Sequence, residues 1–280
     1  MIREVGHDGL VLRVRDEGPR SGEAVLLLHG FPQDGGCWDD VVPALHRAGL
    51  RTLAPDQRGY SPGARPDDVR DYRPERLTGD ALAVLDACGV ERAHVVGHDW
   101  GGALAWRLGA HHPARVMSLT VLSTPHPAAL ARSMGTSLQA LRSWYTLAVQ
   151  VPVVPEVVLS RTLGPALRAS GLAPGPSARY AARLSGPGDL RGPLAWYRAA
   201  ARRPPWQLLG ALTGDPGVVH VPTTYVWGRH DLALGGAAAR HTREYVLGEY
   251  LFTELDAGHW LPEMHPTDVV DAVLDRALRT

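Results

Sequence analysis

The sequence has no lysine and no asparagine, a single isoleucine (Ile2), two phenylalanines and two cysteines. All 29 basic residues are therefore arginines, which excludes a Schiff-base lysine or a phosphate-loop lysine of the chain's own. The shortage of Asn and Ile reads as genomic bias and carries no mechanism. Cys37 and Cys88 are too few for a disulfide framework or a four-cysteine zinc site; they read as packing residues in a reducing compartment. Excess charge of one sign is missing too. With 29 acidic residues against the arginines the formal charge is zero, which gives no electrostatic case for a nucleic-acid or anionic-membrane partner. No run of about 20 apolar residues is present, so no membrane span is expected. The first 18 residues mix charges into an amphipathic strand pattern in place of a signal peptide's apolar segment, and the expected location is cytoplasmic. Scattered pairs such as His111-His112 read as a helix end, and neither a metal nor an organic cofactor is expected.

At 280 residues the chain suits one large decorated domain better than two unrelated ones. Short apolar, β-branched runs at Ala24–Leu28, Arg51–Ala54, Ala93–Val96 and Ser118–Leu122 alternate with helical patterns. That rhythm predicts an α/β fold with a mostly parallel sheet, whose reactive loops follow the strand ends. From about Pro127 to Gly214 it gives way to helical stretches broken by Pro and Gly; strands near 223–227 and 250–254 and a helix over 267–278 then restore it. The division expected is a core of 1–126 and 215–280 with a helical cap inserted at 127–214.

The segment Val95-Val96-Gly97-His98-Asp99-Trp100-Gly101-Gly102 has the form of a strand entering a helix through Gly-x-nucleophile-x-Gly, with Asp where the common version carries Ser. Glycines flank such an elbow because neighbouring backbone comes too close for side chains. The helix over roughly 102–109 would point its positive end at the carboxylate and keep it ionised. Alone, the pattern also fits a helix N-cap beside a glycine turn, and the rest of the chain decides between them. His29-Gly30-Phe31-Pro32 follows a strand, where a backbone amide could complete an oxyanion hole with the amide of Trp100; a tight turn with His29 in the core is the bland reading. Asp231 lies just past one later strand and His259 just past the last, so the chain order is nucleophile, acid, histidine. Asp256 competes as the acid but reads better as a surface turn residue. Ser123-Thr124-Pro125-His126, after strand 118–122, offers no acid.

With these motifs in order, the sequence resembles the epoxide hydrolases of the α/β-hydrolase fold nearly end to end: HGFP at 29–32, PDQRGYSPGARP at 55–66, GHDWGG at 97–102, WGRHD at 227–231 and AGHW at 257–260. The motifs at 29–32 and 97–102 are shared with haloalkane dehalogenases, so they specify a nucleophilic Asp better than a substrate. The segment 192–198 is similar to the one that bears a ring-opening tyrosine in the family, and 144–150 to the one that bears the other. The second departs from the family at Ala148 and Val149, usually aromatic, and the first at Ala195, commonly Asn. The resemblance implies Tyr197 and Tyr145 as acids, with Tyr180 as the fallback for Tyr145.

Displacement at a saturated carbon suits Asp at the elbow, because a carboxylate leaves an ester that water can cleave, whereas serine would leave an ether. A departing alkoxide is more basic than a phenol of pKa about 10, so a tyrosine can protonate it. The ester on Asp99 would be hydrolysed by water activated by His259 and Asp231, with the amides of Phe31 and Trp100 meeting the oxyanion. Phe31, Trp100, Tyr145 and Tyr197 would also line the substrate site. Apolar residues around 147–159, with Trp144, Trp196 and Trp206, point to a small hydrophobic epoxide as partner. The alternatives are a haloalkane dehalogenase using the same Asp and a non-catalytic protein that binds a small ligand.

Overall fold

The computed structural model describes residues 1–202 and 217–279. Its centre is an eight-stranded sheet in the order β1-β2-β4-β3-β5-β6-β7-β8. The strands are β1 (Ile2–His7), β2 (Leu10–Glu17), β3 (Ala24–Leu28), β4 (Arg51–Asp56), β5 (Ala93–His98), β6 (Val116–Leu122), β7 (Thr223–Gly228) and β8 (Tyr250–Leu255). From β4 through β8 the neighbours run parallel, while β1 and β2 form an antiparallel hairpin on the β4 edge. The single strand expected at the N-terminus is thus two. Asp8 and Gly9 divide it, with φ of 53° and 74°, the paired positive values that the tightest hairpin turn requires.

The inner strands are buried on both faces, and β3 reads Ala-Val-Leu-Leu-Leu with every residue buried. Alternate residues serve opposite faces. Leu26, Leu28, Val95 and Leu119 join one apolar cluster, with helices α2 (Pro74–Ala87) and α3 (Trp100–His111), whereas Val25, Leu27, Val96 and Val226 join the other, with α1 (Val42–Arg47) and the C-terminal helix. This two-sided burial explains why the strands read as continuous apolar runs.

Between β6 and β7 the chain builds α4 (Pro127–Thr136), α5 (Gln139–Arg142), α6 (Trp144–Ala148), α7 (Val154–Ala169), α8 (Pro174–Arg183) and α9 (Pro187–Ala201). Residues 203–214 of the expected insertion, including Trp206, lie outside the described residues. After β7 come α10 (Gly236–His241), α11 (Leu261–Met264) and α12 (Pro266–Leu278). No helix among the described residues is long and apolar enough to cross a membrane.

The inserted helices are fastened to the core by close and specific contacts. A Cβ on Gly59 would lie 2.8 Å from the Gly192 carbonyl carbon, and one on Gly192 would lie 2.5 Å from Gly59 Cα, so two glycines let α9 rest on the 57–61 turn. Four residues along α9, Trp196 Nε1 donates to Arg58 O at 2.9 Å. Arg58 is itself fully buried and fixed by Asp80, whose two oxygens accept from Nε and Nη2 at 2.7 Å each. On α8, Arg183 pairs with Asp34 and Asp56 of the core.

Candidate active site

β5 ends at His98, and the next residue, Asp99, has φ 52° and ψ −119°, a conformation costly for a side-chain-bearing residue and sustained by its surroundings. A Cβ on Gly97 would lie 2.3 Å from Gly101 O, and one on Gly101 would lie 2.1 Å from Leu28 O. Thr124 Oγ1 holds the elbow from the β6 side by donating to Asp99 O at 2.7 Å. The Asp99 side chain makes no capping bond to α3, although it stands at the N-cap position. Its Oδ1 accepts the Phe31 amide at 2.8 Å, and its Oδ2 lies 3.6 Å from His259 Nε2. Gly30 makes that approach possible, since a Cβ there would lie 2.3 Å from Asp99 Cβ. Trp100 begins α3, where the first amides have no partner within the helix.

His259 follows β8, and its Nδ1 lies 2.7 Å from Asp231 Oδ2. Asp231 follows β7 and is fully buried; its other oxygen accepts the amides of Ala233 and Leu234 at 2.8 and 2.9 Å. The His259 carbonyl accepts from His98 Nε2 and from Ser123 Oγ, both at 2.8 Å. Burial by itself would lower the His259 pKa, but the charges and hydrogen bonds of Asp231 and Asp99 outweigh it and raise the value to about 10. Burial raises the Asp99 pKa, and the His259 hydrogen bond and charge overcome this, so the carboxylate is held below its ordinary range. His98 is driven down to about 4 by burial and then by the His259 charge.

Two phenols from the inserted segment face this constellation. The Tyr197 ring, on α9, lies 4.9 Å from Trp100, 5.6 Å from Phe31 and 6.1 Å from Tyr145 on α6, measured between ring centroids. Burial and then the negative charge of Asp99 push both tyrosines above the ordinary phenol range, so both keep their protons. Tyr180 is elsewhere: it is fully buried and donates to Glu263 Oε1 at 2.7 Å. Asp256 sits at the surface with Arg229 and His230. His29 is a core residue whose Nε2 accepts the Gln57 amide at 3.1 Å.

A model of the alpha/beta hydrolase fold family matches residues 23–266. This chain belongs to the α/β-hydrolase fold family. The hydrolase is 32% identical to a Bacillus subtilis protein described as AB hydrolase superfamily protein YfhM, over 97% of this chain and 96% of that one. It is 33% identical to epoxide hydrolase A of Mycobacterium tuberculosis, over 98% and 96%. The crystal structure of epoxide hydrolase A from Mycobacterium thermoresistibile superposes with a TM-score of 0.84 at 29% identity, covering 98% of this chain and 97% of that one.

Several supports of the hydrolase's site went unread in the sequence. Thr124 and Ser123 were weighed there only as the place where an acid was lacking, yet they fix the carbonyls of Asp99 and His259. Gln33 is fully buried; its Oε1 accepts the Gly30 amide at 3.0 Å and its Nε2 donates to Glu263 at 2.8 Å. Nothing local distinguishes it from an ordinary turn glutamine. The apolar lining requires a correction: Trp144 is 67% exposed, and Leu147, Val151, Val153, Val154 and Val158 also face solvent. Successive helix positions diverge by about 100°, so α6 turns Tyr145 inward and Trp144 outward. Trp196 is buried against Trp100 and the Arg58 carbonyl.

Proposed function

We propose that this hydrolase opens epoxides to vicinal diols through an ester on Asp99. The observation that carries the proposal is the division of labour at the carboxylate: Oδ1 is held by the Phe31 amide, Oδ2 faces His259, and the paired Tyr145 and Tyr197 lie near enough for the Asp99 charge to raise both phenols. In this reading helices α4–α9 belong to a cap over the site.

Asp99 Oδ2 attacks an epoxide carbon and forms the C–O bond as the ring C–O bond breaks. The electron pair passes to the epoxide oxygen, which takes a proton from Tyr145 or Tyr197. The departing alkoxide is a strong base, so a phenol held against it can supply the proton as the charge develops. Water then attacks the ester carbonyl carbon and gives its proton to His259 Nε2, with Asp231 steadying the imidazolium. Oδ1, now the ester carbonyl oxygen, gathers negative charge against the amides of Phe31 and Trp100. Collapse expels the ester oxygen, which takes the remaining proton of the attacking water, so the diol leaves and the Asp99 carboxylate and His259 imidazolium are restored; the tyrosinate regains its proton from the resting imidazolium once the ester has formed.

His259 at a pKa of about 10 is protonated in the resting enzyme, which is unsuited to a base. Esterification removes the Asp99 charge, one of the two anions supporting that proton. The imidazolium is thereby weakened at the stage where a neutral imidazole is needed. The haloalkane reading uses the same carboxylate but gives the paired phenols no role. Incubation with an aryl epoxide and, separately, with a haloalkane decides between them. Diol formation that is lost in Asp99→Ala is expected; halide release without diol contradicts the proposal.

A further inference from the structure

The acid and one tyrosine come from parts of the chain about 90 residues apart, yet a single buried side chain joins them. Gln139 opens α5 and is 2% exposed. Its Oε1 accepts the Gly235 amide at 2.8 Å, and its Nε2 donates to Ala233 O at 2.8 Å and to Ser143 Oγ at 3.0 Å. The amide orientation is fixed by its partners, because an N–H must meet the oxygen and a carbonyl must meet the nitrogen. A Cβ on Gly235 would lie 3.2 Å from Gln139 Oε1, so this turn is shaped for the close approach. The amides of Ala233 and Leu234, inside the gripped turn, are the ones that orient Asp231 Oδ1. On the other side, Gln139 O accepts the Ser143 amide at 2.9 Å, and Ser143 immediately precedes the α6 helix carrying Tyr145. Arg142, one turn along from Gln139, donates to Asp231 O at 2.6 Å.

We infer that Gln139 is a positioning residue that locks the Tyr145 helix to the Asp231 turn, so that one side chain sets the place of an acid for ring opening and of the carboxylate behind the base. Its effect on the two chemical steps rests on the epoxide reading; its hold on Asp231 does not. Loosening the turn lets the Asp231 carboxylate rotate away from His259, whose other near titratable neighbours are Asp99 and His98.

The test is Gln139→Leu in the full chain, close in volume and without hydrogen-bonding atoms. The pH titration of His259 is followed by NMR in the resting enzyme, and ester formation and ester hydrolysis are timed separately in single turnovers. The His259 midpoint is expected to fall, and both steps to slow by about 10- to 100-fold, the scale of sub-ångström to ångström misplacement. In Tyr145→Phe, adding Gln139→Leu should slow ester formation by less than it does in the wild type, the mark of coupled sites. Arg142→Ala, which removes only the bond to Asp231 O, should slow ester hydrolysis more than ester formation. A folded Gln139→Leu with an unmoved His259 midpoint and wild-type rates, whatever its melting temperature, overturns the inference. Should that variant not fold, Gln139→Glu, of the same shape but unable to donate to Ala233 O and Ser143 Oγ, takes its place, and an unmoved midpoint with wild-type rates there overturns the inference. A wild-type enzyme that forms no ester contradicts the epoxide reading alone, and the His259 titration then decides this one.

Discussion

Asp99 and His259 share a problem of charge. Asp99 is held ionised by His259, and His259 by Asp231 first and Asp99 second, against a burial penalty that pulls both toward neutrality. The sign of the consequence for stability follows from the raised His259 value. Its contribution is fully present below the unfolded histidine pKa of about 6.5 and is lost as pH rises through about 10. Denaturation of the wild type compared with His259→Gln should therefore show a stability difference that narrows across that window; a difference that widens toward alkaline pH contradicts the assignment. The same pair makes a kinetic prediction. On the proposed ester route His259→Gln keeps the nucleophile but removes the base, so it should trap the ester, and intact mass should rise by one epoxide on the Asp99 peptide. An unmodified chain after incubation with an epoxide that the wild type turns over would mean that Asp99 is not alkylated.

At the scale of elements, the site depends on how closely the loops after β3 and β5 and the turn beneath α9 approach their neighbours. Gly59 shows this most directly, because its φ of 91° and its contact with Gly192 both exclude a side chain. Gly59→Ala should lift α9, destabilise the protein by about 1–3 kcal/mol, and lower the single-turnover rate of ring opening through displacement of Tyr197. Ester hydrolysis should change less, since Asp231 and His259 sit on other loops. Thermal melts and stepwise rates measure both; an unperturbed α9, with wild-type ring opening, would show that the contact is slack. Much of this level was legible in the sequence. Apolar runs marked β3 to β7 because strands covered on both faces need apolar residues throughout, and the GHDWGG motif marked the elbow because its sterics demand glycines on either side. Gln33 and Gln139 gave no comparable signal, and Gly59 was legible only as one residue of the motif at 55–66. Their significance lies in partners far away in the chain, and a single buried amide or a turn glycine looks the same in sequence whether or not it meets one.

Taken as a whole molecule, the hydrolase places its proposed reactive groups by topology. Parallel strands point their C-terminal ends the same way, so residues after β3, β5, β7 and β8 converge without any local sequence relation among them. This is why the α/β class and the chain order of Asp99, Asp231 and His259 could be read from spacing, whereas the lining of the site could not. Trp144 belongs to an apolar stretch that sequence alone suggests is buried, and only the packing of α5 to α7 reveals which side of it meets solvent. The central claim is the ester on Asp99. A single turnover of styrene oxide with excess enzyme in ¹⁸O-labelled water, followed by mass analysis of diol and peptides, tests it. An unlabelled first-turnover diol with label in the Asp99 peptide is predicted; a labelled diol with an unlabelled peptide would mean direct attack by water and contradict the account.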